Sequence, residues 1–352
     1  MYLKDLTKLN GISGNEDEVR DYIKNNIINF ADELKTDRLG NLIAYKRGNG
    51  RKLKVMLSAH MDEVGFMVTG HGKDGSVRFK PVGGIDERIL PGKEVFIGPE
   101  RIPGVIAIKP IHLQDKDTRN VNVKLKNLYI DIGVDKKEEA EKAAPLGEFI
   151  CFSDEYQEMG DSVVKAKALD DRVGCAILMD MAKEKYNFDL YLCFTVQEEI
   201  GLRGSETAAY QVAPDIALAV EGTTCSDVPE VEEQDYSTRL GEGAALTIMD
   251  RTAYADKRFT SFIYKLAQDK GLKVQYKQTT TGGNDAGKIQ RSREGVITAA
   301  ISVPCRYIHS PVSMMDKRDY ESCKEIVRAL LREIDTRQDF LDYIKNGGNF
   351  DV

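Results

Sequence analysis

No stretch of the chain approaches the roughly 20 consecutive apolar residues that a membrane-crossing helix requires, which argues against a helical membrane protein. The segment Met1-Tyr2-Leu3-Lys4-Asp5-Leu6 is charged and has no apolar signal core, so the protein is expected to remain in the cytoplasm. An excess of basic charge is also missing. The formal net charge is −7, with both signs mixed along the chain, and this disfavours a nucleic-acid reader. The six cysteines, Cys151, Cys175, Cys193, Cys225, Cys305 and Cys323, are scattered with no C-x-x-C pair, which speaks against a disulfide framework or a zinc knuckle. Histidine occurs only four times, so the context of each one is informative.

What is present reads as a soluble α/β protein: 352 residues, 41% hydrophobic and 30% charged, enough for one large or two unequal domains. Ser13-Gly14-Asn15-Glu16 has the capping-box pattern, and Val19, Ile23 and Ile27 follow at helical spacing. Leu53, Val55, Leu57 and Ala59 alternate with Lys54, Met56 and Ser58, a strand that runs into His60. From about Gly65 to Gly160, glycine and proline punctuate short β-like runs. Helix–strand alternation then resumes: a helix from near Asp170, strands over Leu190–Val196, Ile216–Val220 and Val296–Val303, a helix around Phe259, Ile263 and Leu266, and a last helix from about Asp316. The expected architecture is a mixed-sheet α/β catalytic domain over 1–65 and 161–352, interrupted at 66–160 by a small β-rich, barrel-like insert. Within that insert Asp135-Lys136-Lys137-Glu138-Glu139-Ala140-Glu141-Lys142 reads as an exposed helical segment.

Polar residues gather after the apolar strands. The first strand ends in His60-Met61-Asp62, the second in Gln197-Glu198-Glu199, the third in Glu221, and the fourth is followed by His309. Open α/β sheets bind ligands outside the carboxyl ends of their strands, so these groups converge on one edge, where Asp170-Asp171 can add a carboxylate. Imidazole and carboxylate without sulfur suit zinc, cobalt or manganese. Two such ions, about 3.5–4 Å apart, polarise a carbonyl and activate a shared water, and a free carboxylate then moves the proton. Singly, each residue has a simpler reading: His60 as a strand cap, Glu198-Glu199 as a solvated loop, Asp170 as a helix N-cap, Asp62 as a surface acid. Their joint occurrence carries the reading of a metal hydrolase.

Two glycine-rich segments are set aside as nucleotide sites. Gly282-Gly283-Asn284-Asp285-Ala286-Gly287-Lys288 has the spacing of a phosphate-binding loop, but Ile289 stands where Ser or Thr must hold magnesium. It reads better as a loop near the metals. Gly241-Glu242-Gly243 lacks the third glycine of a dinucleotide fingerprint.

The segments Ser58–Gly65, Ala168–Gly174, Val196–Gly204 and Arg306–Pro311 together resemble the M42 family of metallopeptidases, the tetrahedral aminopeptidase group. The likeness spans nearly the whole chain, in the family's order. It implies that Asp170 bridges two metals, with His60 and Glu221 completing one site and Glu199 and His309 the other. It implies Glu198 as general base, Asp62 orienting His60, and a cis peptide between Asp170 and Asp171. It also implies two divalent ions per subunit, zinc or cobalt with manganese as an alternative. The substrates implied are short unfolded peptides cleaved at the N-terminus, by a tetrahedral dodecamer built from dimers. Neither nucleic acid nor membrane is expected as a partner. Glu221 stands where relatives commonly have aspartate, and Asn284 where many have threonine. Two other readings stay open: a metal-dependent hydrolase of another class, such as an endoglucanase-like glycosidase, and a non-catalytic scaffold that keeps the fold.

Overall fold

A computed structural model of the chain describes residues 2–114, 121–153 and 155–346. Four parallel strands form its centre, in the order Phe188–Thr195, Arg51–His60, Ile216–Cys225 and Ile297–Arg306. Antiparallel strands extend the sheet on both sides: Glu33–Thr36 and Leu42–Lys46 at one edge, Ser313–Asp316, Val163–Ala166 and Gln157–Met159 at the other. Ala244–Thr247 and Val274–Lys277 complete its 11 strands. The sheet is therefore mixed, as expected.

Alternation along the Arg51–His60 strand divides its side chains between two cores. Val55, Leu57 and Ala59 join a large cluster with Val19 and Ile23 of the helix Asp17–Ile27, Val173 and Ile177 of the helix Leu169–Met181, Phe259 of the helix Lys257–Asp269, and Val327 and Leu331 of the helix Lys317–Thr336. Met56 points the other way, into a smaller cluster with Ala208, Ala209 and Val212 of the helix Arg203–Val212. Both faces are thus covered, the usual condition for parallel strands. Each fully buried Leu, Ile or Val here stabilises the fold by about 1.5–3 kcal/mol.

The insert is a closed six-stranded barrel, formed by Gly65–His71, Val77–Val82, Tyr129–Asp131, Ile102–Ala107, Glu94–Ile97 and Phe149–Phe152. It has its own core, in which Phe66 meets Phe79 and Phe152 edge to face, with ring centroids 4.9 and 5.2 Å apart. The charged run at 135–142 forms most of the helix Lys137–Ala143, exposed apart from buried Ala140 and half-covered Ala143. Residues 115–120 and 154 of the insert lie outside the described residues.

Three local expectations need correction. Glu16 does not close a capping box: it precedes the helix Asp17–Ile27 and makes no side-chain cap hydrogen bond. The strand read as Ile216–Val220 continues to Cys225, so Glu221 lies within it rather than beyond it. The last core strand likewise runs to Arg306, because the polar end of each still pairs with its neighbour.

At the junction of the two units, buried Glu63 accepts hydrogen bonds from Lys167 Nζ (2.6 Å) and Arg172 Nη2 (3.3 Å), both also buried. Arg172 Nη1 donates in turn to the Leu6 carbonyl (2.7 Å), tying the N-terminal helix to the same point. Removing the anion strands two buried cations. Glu63→Gln is expected to lower unfolding stability by about 3–5 kcal/mol. Urea denaturation measures this, and a loss below about 1 kcal/mol would show that the cluster is not a structural tie.

Candidate metal centre

Parallel register brings the polar residues level. His60 pairs with Thr195, and Ala219 pairs with Ser58, so Glu221 and His60, each two residues further on, lie side by side. His60 Nε2 is 3.6 Å from Glu221 Oε2 and 3.2 Å from Asp170 Oδ1. The other oxygen of Asp170, Oδ2, faces His309 Nε2 at 3.8 Å, and His309 Nε2 is 3.2 Å from Glu199 Oε2. Asp170 thus presents one oxygen to each histidine. Glu198 Oε2 lies 3.9 Å from His60 Nε2. All six residues line one cavity of about 210 Å³, together with Thr223, Thr247, Lys277 and the loop 281–284. The glycine-rich loop is therefore a wall of this cavity.

Backbone geometry aims these groups. The Asp170–Asp171 peptide is cis, and both residues depart from helical angles at the start of their helix. Asp170 rests on Gly222, where a Cβ would come within 2.9 Å of its Cα, so the glycine after Glu221 is needed for this approach. Ala168, Gln197, Leu202, Tyr307 and His309 all have left-handed φ angles, between 52° and 63°. Such residues cost roughly 1–3 kcal/mol each and persist where the surroundings hold them.

Several acids beside the cavity are committed to hydrogen bonds. Asp171 accepts from the His60 and Gly174 amides, both at 3.0 Å. Asp62 accepts from the Glu198 and Glu199 amides at 3.0 and 3.1 Å and from Ser13 Oγ at 2.5 Å. His60 Nδ1 lies 3.0 Å from the Asp62 carbonyl oxygen and 3.5 Å from its carboxylate, so the backbone of Asp62 is the nearer acceptor. Asp285 accepts from Thr195 Oγ1 (2.6 Å) and Ser58 Oγ (3.1 Å), and its amide points at Glu221 Oε1 (3.4 Å). Sequence reasoning named Asp171 only as one of a pair that could add a carboxylate, and missed both its role in holding the His60 amide and the role of Asp285. The adjacency of Asp171 to Asp170, and the place of Asp285 in the glycine-rich loop two residues after Gly283, were the available signals.

Asp170, Glu198, Glu199 and Glu221 have no lysine or arginine partner within 4.0 Å among the described residues. Burial drives Glu198, Glu199 and Glu221 well above the ordinary carboxylate range, and neighbouring acids add to it. Burial disfavours charge on His60, but Glu198, Asp170 and Asp62 outweigh it and raise its pKa well above the usual value. Three groups have donor atoms mutually within 4.8 Å: His60–Glu198–Glu199, His60–Asp171–Glu221 and Asp170–Glu199–His309. Their donors are nitrogen and oxygen. The nearby thiol of Cys175 is turned away, onto the His60 carbonyl (3.1 Å). Carboxylates with no lysine or arginine partner, Glu221 buried and Asp170, Glu198 and Glu199 half-buried, with imidazoles between them, fit hard or borderline divalent cations.

The family model for M42 glutamyl aminopeptidases matches residues 40–326. Among solved structures, a TET aminopeptidase from a marine sediment Thaumarchaeota archaeon is 31% identical, with a TM-score of 0.93 over 97% of this chain and 98% of that one. The TET1 peptidase of Pyrococcus horikoshii, which can assemble into a tetrahedron or a large octahedral shell, is 32% identical with a TM-score of 0.82, covering 94% and 98%. An endoglucanase from Thermotoga maritima is 38% identical with a TM-score of 0.81, covering 98% and 99%.

Carboxyls raised above the ordinary glutamate value of 4.5 keep protons in the folded state that the unfolded chain has lost. Their contribution to stability is complete below that value and disappears as pH rises through the folded value; raised His60 acts in the same direction, and lowered Asp62 opposes it. In chelator, the melting temperature is therefore expected to fall as pH rises above the ordinary carboxylate range, and zinc should raise it most at the higher pH values. Thermal unfolding at several pH values checks this; a flat or rising profile in chelator would contradict the electrostatic reading.

Proposed function

This chain belongs to the M42 glutamyl aminopeptidase family, and on that premise we propose that it removes N-terminal residues from short unfolded peptides at a two-metal centre with Glu198 as general base. The observation that carries this reading is the position of Asp170, one oxygen toward His60 and the other toward His309. His60, Asp170 and Glu221 would hold one divalent ion, and Asp170, Glu199 and His309 the other, zinc, cobalt or manganese being suited to these donors. Bound there, the ions would polarise the scissile carbonyl and make water a stronger nucleophile near neutral pH.

The remaining chemistry falls to the chain's own residues. Glu198 takes a proton from the attacking water onto its carboxylate and hands it to the nitrogen of the departing amine. Its burial favours holding that proton between the two steps. Asp62 fixes the Glu198 and Glu199 amides, so the base and its neighbour are presented together. A cavity of about 210 Å³ leaves room for a terminal residue and excludes folded chains. Lys277 is its single lysine or arginine among the described lining residues, and this supports an acidic first side chain.

Unit boundaries follow the same reading, 1–65 with 161–352 as the catalytic unit and 66–160 as an insert for assembly and access, except that Gly65 opens the first barrel strand and Gln157–Met159 pairs into the main sheet. The shells formed by the Pyrococcus horikoshii peptidase support a homo-oligomer here, a tetrahedral dodecamer built from dimers. Six free, buried cysteines suit a reducing, cytoplasmic setting. Among the described residues no helix is long and apolar enough to cross a membrane.

The name of the Thermotoga maritima relative gives a sugar-hydrolase reading one observation in its favour. Unblocked peptides, N-acetylated peptides and a β-glucan, each with zinc, cobalt or manganese and with chelator, separate the two. Metal-dependent release from unblocked peptides alone is expected; chelator-insensitive release of sugar would overturn the proposal. Glu198→Gln should lower kcat by about 10²–10⁴-fold with metal content intact, and metal loss would count against its role as base. Lys277→Ala should reduce the preference for glutamyl over leucyl substrates by roughly tenfold or more, whereas an unchanged preference would remove Lys277 from substrate recognition.

A further inference from the structure

Between the strand Phe188–Thr195 and the helix Arg203–Val212 the chain carries Glu198 and Glu199 through a stretch that belongs to neither element. Amides outside a helix or ladder need other acceptors when water is scarce. Four consecutive amides here find one in a distant side chain. Val196 N–H donates to Asn41 Oδ1 (3.0 Å), Gln197 N–H to Glu16 Oε1 (3.1 Å), Glu198 N–H to Asp62 Oδ1 (3.0 Å) and Glu199 N–H to Asp62 Oδ2 (3.1 Å). Gln197 has a φ of 57°. Its left-handed backbone sets the direction of the next side chain, that of Glu198, and needs support to persist.

Glu16 is placed to give that support. It stands before the helix Asp17–Ile27 yet does not cap it. The oxygen that meets Gln197 also accepts from the Gly14 amide at 2.7 Å, which fixes the carboxylate from its own side. The residue is 4% exposed, so little water competes for the bond. No residue of the N-terminal segment other than Glu16 takes the Gln197 amide among the described contacts.

We propose that Glu16 is a positioning residue for the general base: its carboxylate holds the Gln197 amide and so directs Glu198 into the cavity. This rests on the aminopeptidase reading given above. The requirement is for an oxygen acceptor of the right reach. Glutamine meets it, aspartate retracts the oxygen by one methylene, and alanine removes it.

The test compares wild type, Glu16→Gln, Glu16→Asp and Glu16→Ala by steady-state kinetics on an unblocked peptide, zinc titration and amide hydrogen exchange. Glu16→Ala should lower kcat roughly 10–100-fold with KM and zinc stoichiometry little changed, and should speed exchange across residues 196–199. Glu16→Asp should share the defect in part, which keeps the test available if the alanine variant does not fold. Glu16→Gln should restore kcat to within about threefold, together with protection of those amides. Wild-type kcat in Glu16→Ala, a glutamine variant as impaired as alanine, or faster exchange confined to residues 17–27 would each overturn the assignment. Wild-type protein without peptidase activity would defeat the aminopeptidase reading, and exchange at 196–199 would then decide the Glu16 contact by itself.

Discussion

Mutual repulsion among buried and half-buried carboxylates is the constraint that shapes this molecule. Asp62, Asp170, Asp171, Glu198, Glu199, Glu221 and Asp285 crowd around two histidines and a single lysine. Charges out of water are stable only when paired or hydrogen-bonded. Asp62 and Asp171 are quieted by backbone amides, and Asp285 by two hydroxyls, while its own amide donates to Glu221 Oε1. Among the described residues Asp170, Glu198 and Glu199 have no such relief beyond the imidazoles, and Glu221 has only the long bond from the Asp285 amide; it is these that a cation would satisfy. The cluster is a cost to folding, offset by a sheet covered on both faces and a second core in the barrel.

Parallel topology makes the crowding possible. Strands that run side by side finish at one edge, so residues distant in sequence arrive there together. The parts that must be accurate are then held by backbone contacts: a cis peptide at Asp170–Asp171, left-handed residues at Gln197 and His309, and a glycine beneath Asp170. Side-chain acceptors from the N-terminal segment and from Asp62 complete the frame around Glu198.

Much of this was legible in the sequence where a hydrophobic period announces it. Leu53 to Ala59 alternates because one side of that strand meets the main core and the other the smaller one, and His60 falls where the strand ends. Glu221 was placed at the close of an apolar run, but the strand continues through Gly222, Thr223 and Thr224. An apolar run marks where the core stops, and here the ladder goes on past the core to line the cavity. The short strands Glu33–Thr36 and Gln157–Met159 were not apparent because they are largely exposed at sheet edges and carry little hydrophobic signal. Glu16 matched a local capping pattern, while its partner lies 181 residues away, beyond the reach of any local rule. The family resemblance supplied what periodicity could not: which of two adjacent aspartates faces the histidines.

Isothermal titration of the metal-free protein with zinc, in buffers of different ionisation enthalpy, tests the two-metal centre most directly. Two equivalents should bind, and protons should be released on binding, because His60 and the raised carboxyls must give theirs up to act as ligands. A protein that binds no zinc, or binds it without releasing protons, would contradict the claim that these carboxylates and histidines form the metal centre.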